Sequence, residues 1–239
     1  MAELVSILIP AYNAGKWIRQ TIESALDQTW PRKEIIIVDD GSSDNTLSVA
    51  KRFESGSLKV IHQKNKGASA ARNRALTYAQ GDYIQWLDAD DLLAPDKVSE
   101  QMGNGGGGRG SKVLLSASFG MFYACPQKAI FTSNSLWQDL TPLDYFLIKF
   151  AENAWLANST WLVSRSLTEL AGPWNEDLSL DDDGEYFCRV VAASEGIRFV
   201  EQAKTFYRQS GSSQLSRGCT AKAYASLLLA LTLCIRHLR

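Results

Sequence analysis

The 239-residue chain has little histidine, little cysteine and no surplus of charge of either sign. His62 and His237 fall in a strand-like run and near the end of a terminal helix-like run, positions that read as structural or solvated rather than catalytic. The four cysteines, Cys125, Cys188, Cys219 and Cys234, are far apart and show neither CxxC nor metal-ligand spacing. They read as reduced thiols of a cytoplasmic protein. With a net charge of -1 and no basic stripe, the composition excludes a nucleic-acid binder. Long hydrophobic runs are missing too. The most lipid-like stretch, residues 223–233, is shorter than the roughly 20 apolar residues a bilayer span needs, so no transmembrane segment is expected and a peripheral membrane contact stays open. The start, Met1-Ala2-Glu3-Leu4, lacks the basic region and cleavage site of a secretory leader.

What is present is an ordinary globular composition, 45% hydrophobic and 21% charged, on a chain long enough to bury a substantial core. Short apolar runs at 5–9, 34–38, 58–61 and 83–87 read as strands. They alternate with helical patterns at 15–28 (Trp17, Ile18, Ile22, Ala25 and Leu26 on one face), 45–53, 68–79 and 95–102, the last with Pro95 in its first turn. This alternation indicates an α/β protein with a doubly wound, mostly parallel sheet. The glycine-rich run 103–112 marks a join, after which the pattern becomes mixed α/β: strands at 113–123, 129–132 and 159–163, a helix capped by Thr141 and Pro142, and a capping box Ser166-Leu167-Thr168-Glu169. The expected division is 1–102, the join 103–112, 113–218, and a terminal helix 219–239.

In an open parallel sheet, ligands bind outside the carboxyl ends of the strands, and the polar motifs collect there. Pro10-Ala11-Tyr12-Asn13 follows the first strand and Asp39-Asp40-Gly41-Ser42-Ser43-Asp44 the second. Asn65-Lys66-Gly67-Ala68 leads into a helix carrying Ala71-Arg72-Asn73, and Asp88-Ala89-Asp90-Asp91 ends the fourth strand. Residues two apart on an extended chain share a side, so Asp88 and Asp90 are placed to face one Mg²⁺ or Mn²⁺ while Ala89 packs away. The competing reading is a strand followed by an acidic helix cap at Asp91, a residue that the sequence leaves open between a cap and a second metal contact. Asp44 reads as a cap. Helix N-termini and Arg72 suit phosphate.

These four stretches, in this order, resemble glycosyltransferase family 2, the inverting nucleotide-sugar enzymes of GT-A fold. The resemblance is dense over residues 4–98 and sparse afterwards. It implies a donor-binding half followed by a smaller acceptor-binding half, with a nucleotide-sugar donor (a UDP-sugar by default) and a carbohydrate or lipid-linked acceptor. It implies that Pro10, Ala11, Tyr12, Asn13, Asp40, Gly67, Arg72, Asp88 and Ala89 line the donor site, with Tyr12 stacked near the base and Asp40 on the base or ribose. Arg72 would lie by the base and diphosphate, and Asp90, with Asp88, on the metal. Gly172-Pro173-Trp174-Asn175-Glu176 followed by Asp181-Asp182-Asp183-Gly184-Glu185 resembles the family's acceptor-side turn and acidic helix start, which makes Asp183 the implied catalytic base. The processive Gln-x-x-Arg-Trp signature is absent, and no histidine follows Tyr207-Arg208. Trp161 reads as core, with Trp155 and Trp174 open. A catalytically inactive nucleotide-sugar-binding module acting through partners is the alternative function, and a phosphoacceptor receiver domain fails on length and on the Asp88-Ala89-Asp90 motif.

Overall fold

The computed structural model describes residues 2–105, 110–209 and 220–238. The first half alternates strand and helix as its sequence pattern demands: β1 Val5–Ala11, α1 Ile18–Leu26, β2 Lys33–Asp39, α2 Thr46–Lys51, β3 Leu58–His62, α3 Ala68–Leu76 and β4 Tyr83–Trp86. β1 pairs in parallel with both β2 and β4, and β2 with β3, so β1, β2 and β4 all deliver their polar C-terminal motifs to one edge. The strand interiors are buried on both faces, which explains their continuous Ile/Val/Leu runs.

The second half extends the same sheet. It adds β5 Leu92–Leu93, α4 Lys97–Asn104, β6 Val113–Phe122, β7 Ile130–Phe131, α5 Pro142–Glu152, β8 Leu162–Ser164, α6 Arg165–Ala171, α7 Asp182–Ala193, β9 Gly196–Arg208 and α8 Ala221–His237. The order is β3-β2-β1-β4-β8-β6-β9-β5, with β7 on β6. β8 is antiparallel to both β4 and β6, and β9 is parallel to β6. Two hydrophobic clusters line the sheet, and each draws residues from both halves of the chain. α8 lies on α7 through Ala223, Ser226, Ala230 and Cys234. No helix among the described residues is long and apolar enough to cross a membrane.

Local differences from the sequence expectation have physical causes. Trp17 precedes α1 as its N-cap residue instead of riding its apolar face, and Arg208 packs over its indole. Pro95 lies ahead of α4, whose N-cap is Asp96, and its carbonyl accepts from Thr29 N. α4 runs on to Asn104, two residues into the glycine run. The strand expected from residue 159 begins at Leu162, because Asn158–Thr160 form a 3-10 turn whose polar side chains bond inward. The cap of α6 is Ser164, which accepts from Leu167 N, so Ser166 lies within the helix and not at its start. Trp161 and Trp174 are both core, and Trp155 is exposed. Cys188 and Cys234 meet between α7 and α8 as neighbouring free thiols, while Cys219 lies outside the described residues.

Lys97 is buried in the first turn of α4, where it donates to Gln85 Oε1 and Trp161 O. Burial pushes its pKa well below the ordinary lysine value. The fold therefore binds fewer protons than the unfolded chain between that lowered pKa and the unfolded one, and stability rises with pH through the window. The melting temperature should climb as pH rises toward the unfolded lysine value of about 10.4 by a component that Lys97→Met removes. Superimposable pH profiles for the two proteins would show that the lysine keeps its charge in the fold.

Candidate active site

The loops after β1 and β2 are clasped together. Asn13, held in the left-handed region at φ 49°, accepts from Ser43 N through Oδ1, and its own N–H donates to Ser42 Oγ. The N-cap of α2 is Asn45 and not Asp44, which stands one residue earlier and ties the two loops, its carboxylate accepting from Thr46 N at one oxygen and Gly15 N at the other. This clasp leaves Tyr12 projecting, 55% exposed, from the carboxyl edge, with Pro10 and Ala11 just behind it in β1. Asp40 is buried and holds the next loop, accepting from Gln63 Nε2, Lys66 N and Gly67 N. Gly67 takes φ +96°, a conformation L side chains rarely adopt, and so launches α3 from the loop that Asp40 anchors. Asp39 is fully buried and bonds His62 Nδ1 at 2.8 Å, which gives that histidine a structural partner.

Arg72 lies one and a half turns along α3 and is nearly inaccessible. Its two terminal nitrogens bind Asp182 at 2.6 Å and Asp88 at 2.9 Å, and its plane lies 4.4 Å over Trp174. Burial works against the guanidinium charge, but Asp182, Asp88 and Asp183 outweigh it and hold the pKa above the ordinary arginine value. The arginine placed by sequence beside a diphosphate is therefore the bridge that joins the fourth-strand acids to the start of α7. Ser69 Oγ also donates to Asp182, and Asn73 clamps the 173–176 turn through Trp174 N and O. The sequence reading treated Asp182 only as part of an acidic cluster. Its partnership with Arg72 spans 110 residues and leaves no local signal.

α7 begins where Asp181 adopts φ 58°. A Cβ on Gly184 would lie 2.2 Å from Asp181 Oδ1, so glycine there lets the Asp181 carboxylate fold back over the helix start. Asp183 follows in the first turn and is half-buried. Its carboxyl is pushed up to about 7 by burial and by Asp182 and Asp181, with Arg72 opposing. A carboxyl with that pKa is poised to exchange protons near neutral pH.

At the fourth-strand motif, Ala89 is buried and Asp88 keeps 30% of its side chain exposed, while Asn158 Nδ2 donates to its second oxygen at 3.2 Å. Asn158 was missed in the sequence. The run of polar residues Asn158-Ser159-Thr160 inside an apolar stretch was its only signal. Asp91 is not a helix cap: it is buried, and its Oδ1 accepts from Arg208 N. Burial, then Asp90 and Asp88, push its carboxyl well above the usual range, and its Oδ2 has no hydrogen-bond partner. Arg208 also donates to Asp90 O at 2.7 Å and Gln20 Oε1 at 2.7 Å, and it packs over Trp17 and Phe122. The Tyr207-Arg208 pair flagged in the sequence thus secures the acidic loop from behind. Of the loop that follows it, only Gln209 lies within the described residues.

Residues 6–104 match the family model for Glycosyl transferase family 2. TuaG of Bacillus subtilis (strain 168) is 39% identical over 148 residues, covering 60% of this chain and 52% of TuaG. The chondroitin synthase of Escherichia coli is 48% identical over 97 residues, 40% of this chain and 14% of that protein. The chain spans about half the length of TuaG, the fullest of these matches, and less of the chondroitin synthase. Among solved structures, Staphylococcus aureus TarS 1-349 in complex with UDP-GlcNAc superposes with a TM-score of 0.75 at 20% identity, covering 96% of this chain and 66% of that one. Mannosyltransferase PcManGT of Pyrobaculum calidifontis, in complex with GDP-Man and Mn²⁺, superposes at 0.68 with 18% identity, covering 99% and 65%. Residues 6–104 therefore carry the sequence pattern of glycosyl transferase family 2, and the chain has the GT-A fold.

Proposed function

We propose that this chain transfers a glycosyl group, with inversion, from a nucleotide-sugar to an acceptor hydroxyl. The observation that carries this reading is the half-buried Asp183, with its carboxyl near 7, tied through Asp182, Arg72 and Asp88 to the edge where β1, β2 and β4 end. In this mechanism Asp183 takes the acceptor proton as the acceptor oxygen bonds to the anomeric carbon. The bond from that carbon to the diphosphate oxygen breaks, and its electron pair leaves with the nucleotide. Tyr12 offers an exposed ring to the base, and Asn13, Asp40 and Gly67 shape the wall around it. Nucleotide-sugars bound to TarS and PcManGT support this class of donor, with UDP the first to test.

Asp90 and Asp88 would hold the divalent metal. The fit rests on Asp88, Asp90 and Asp91 standing together: burial first, and then Asp90 and Asp88, raise the Asp91 carboxyl, and a cation on Asp88 and Asp90 would relieve the repulsive part. Among the described residues no cluster of three acid, histidine or cysteine side chains could hold a metal, so Asp88 and Asp90 would need ligands from the substrate phosphates to complete the site. Such a metal supplies Lewis-acid stabilisation of the departing diphosphate.

Calorimetry of UDP binding tests this reading. Affinity should be high with Mn²⁺ and fall on addition of EDTA or in Asp90→Asn. Equal affinities in all three conditions would remove the metal from Asp90.

A further inference from the structure

Trp155 is the outlier among the seven tryptophans, all of which lie within the described residues. Trp86, Trp161 and Trp174 are core, and Trp17, Trp30 and Trp137 are partly buried. Trp155 leaves 42% of its surface in solvent. An indole is among the largest apolar surfaces a side chain can expose, and here it is held firmly. Its carbonyl accepts from Asn134 Nδ2 at 3.1 Å, its ring packs at 4.9 Å on Phe119, and Tyr207 meets it edge-on at 5.4 Å.

Topology puts this ring at the rim of the candidate active site. β8 is antiparallel to β4, so the segment leading into β8 comes from the carboxyl end of β4, where Asp88 and Asp90 stand. Asn158, three residues after Trp155, bonds Asp88 directly. Three peptide units hold the two Cα atoms within about 11 Å of each other. From the other side, Tyr207 is the penultimate residue of β9, next to Arg208, which binds the Asp90 carbonyl. The aromatic pair is therefore anchored at two points to the same acidic loop.

We infer that Trp155, flanked by Tyr207, is the stacking face of an acceptor subsite, and that the acceptor is a sugar ring carried on a neutral glycoside. This rests on the transfer reading above. A pyranose presents an apolar C–H face that stacks on an indole while its hydroxyls stay in water or turn to the acids. The charge pattern argues against a phosphate-bearing acceptor. Asp88, Asp90, Asp181 and Asp182 bring carboxylates to the site, and Arg72 is spent on Asp88 and Asp182. With the metal on Asp90 taken up by the donor diphosphate, a second phosphate carried on the acceptor meets like charge there.

The test uses methyl glycosides of hexoses and N-acetylhexosamines, with glycerol 3-phosphate as the charged comparator. Binding is read by saturation-transfer NMR with UDP and Mn²⁺ present, and UDP affinity by calorimetry. The wild type should bind at least one glycoside in preference to glycerol 3-phosphate. Trp155→Ala should weaken that binding roughly tenfold or more, Trp155→Phe should restore part of it, and UDP affinity should hold throughout. Should the alanine variant fail to fold, the phenylalanine variant decides, with an intermediate glycoside affinity expected. Undiminished glycoside binding in the folded variants would overturn the subsite, as would a wild type that binds UDP but no glycoside, or only glycerol 3-phosphate. A wild type that binds glycosides through Trp155 but no nucleotide would uphold the subsite and sink the transfer reading instead.

Discussion

Asp183→Asn should lower transfer by roughly 10²–10⁴-fold while leaving donor and metal affinity nearly unchanged. The amide keeps the shape of the carboxylate and removes its basicity, so the loss belongs in kcat and not in the donor KM. The wild-type rate should rise with pH and level off, with a midpoint near the Asp183 value of about 7. A base must be deprotonated to act, and burial together with Asp182 and Asp181 delays that deprotonation to neutral pH. The sign for stability is opposite. With its folded pKa raised, Asp183 is protonated in the fold where the unfolded chain has already released the proton, so its contribution falls as pH rises from about 4 to about 7. Asp183→Asn should flatten that part of the stability profile. Donor calorimetry, a transfer assay and melting curves at several pH values check all three. Near-wild-type transfer by the variant would pass the role to Asp182 or Glu185.

The second large effect is on the fold as much as on the chemistry. Arg72→Ala removes the cation that neutralises Asp88 and Asp182 in a nearly closed space, and stripping one partner from a buried ion pair costs about 3–5 kcal/mol. For a domain of this size that is a fall of roughly 10 °C in melting temperature. Arg72→Lys keeps the charge but cannot reach two carboxylates with a planar fork, and should fall between. A second readout separates this network from plain packing. Arg72 holds the Asp183 carboxyl down, so any residual transfer in Arg72→Ala should have its pH midpoint moved upward. An unchanged melting temperature together with an unchanged midpoint would mean that Arg72 does not neutralise these acids.

The sequence by itself determined the alternation of buried strands and helices through Trp86, and with it the edge on which chemistry collects. Strand interiors such as Ile7-Leu8-Ile9 and Ile35-Ile36-Ile37 are apolar on both faces because helices cover both, and that pattern is local. The glycine at 67, the acids at 88 and 90 and the acidic start of α7 were marked in the sequence because each stands at the end of an element whose pattern is local. The tertiary structure alone decided how those pieces are wired. Arg72 could be recognised as a buried bridge only once α7 was packed against α3, because its partners lie 16 and 110 residues away. Asp91 changed from a cap to a buried carboxyl because Arg208, on a strand that returns 117 residues later, reaches its oxygen first. The sequence left Trp155 open and passed over Asn158, because antiparallel pairing of β8 with β4 is what carries their segment to Asp88. Contacts between distant segments are set by sheet order and helix packing, and these leave no periodicity in the chain to read.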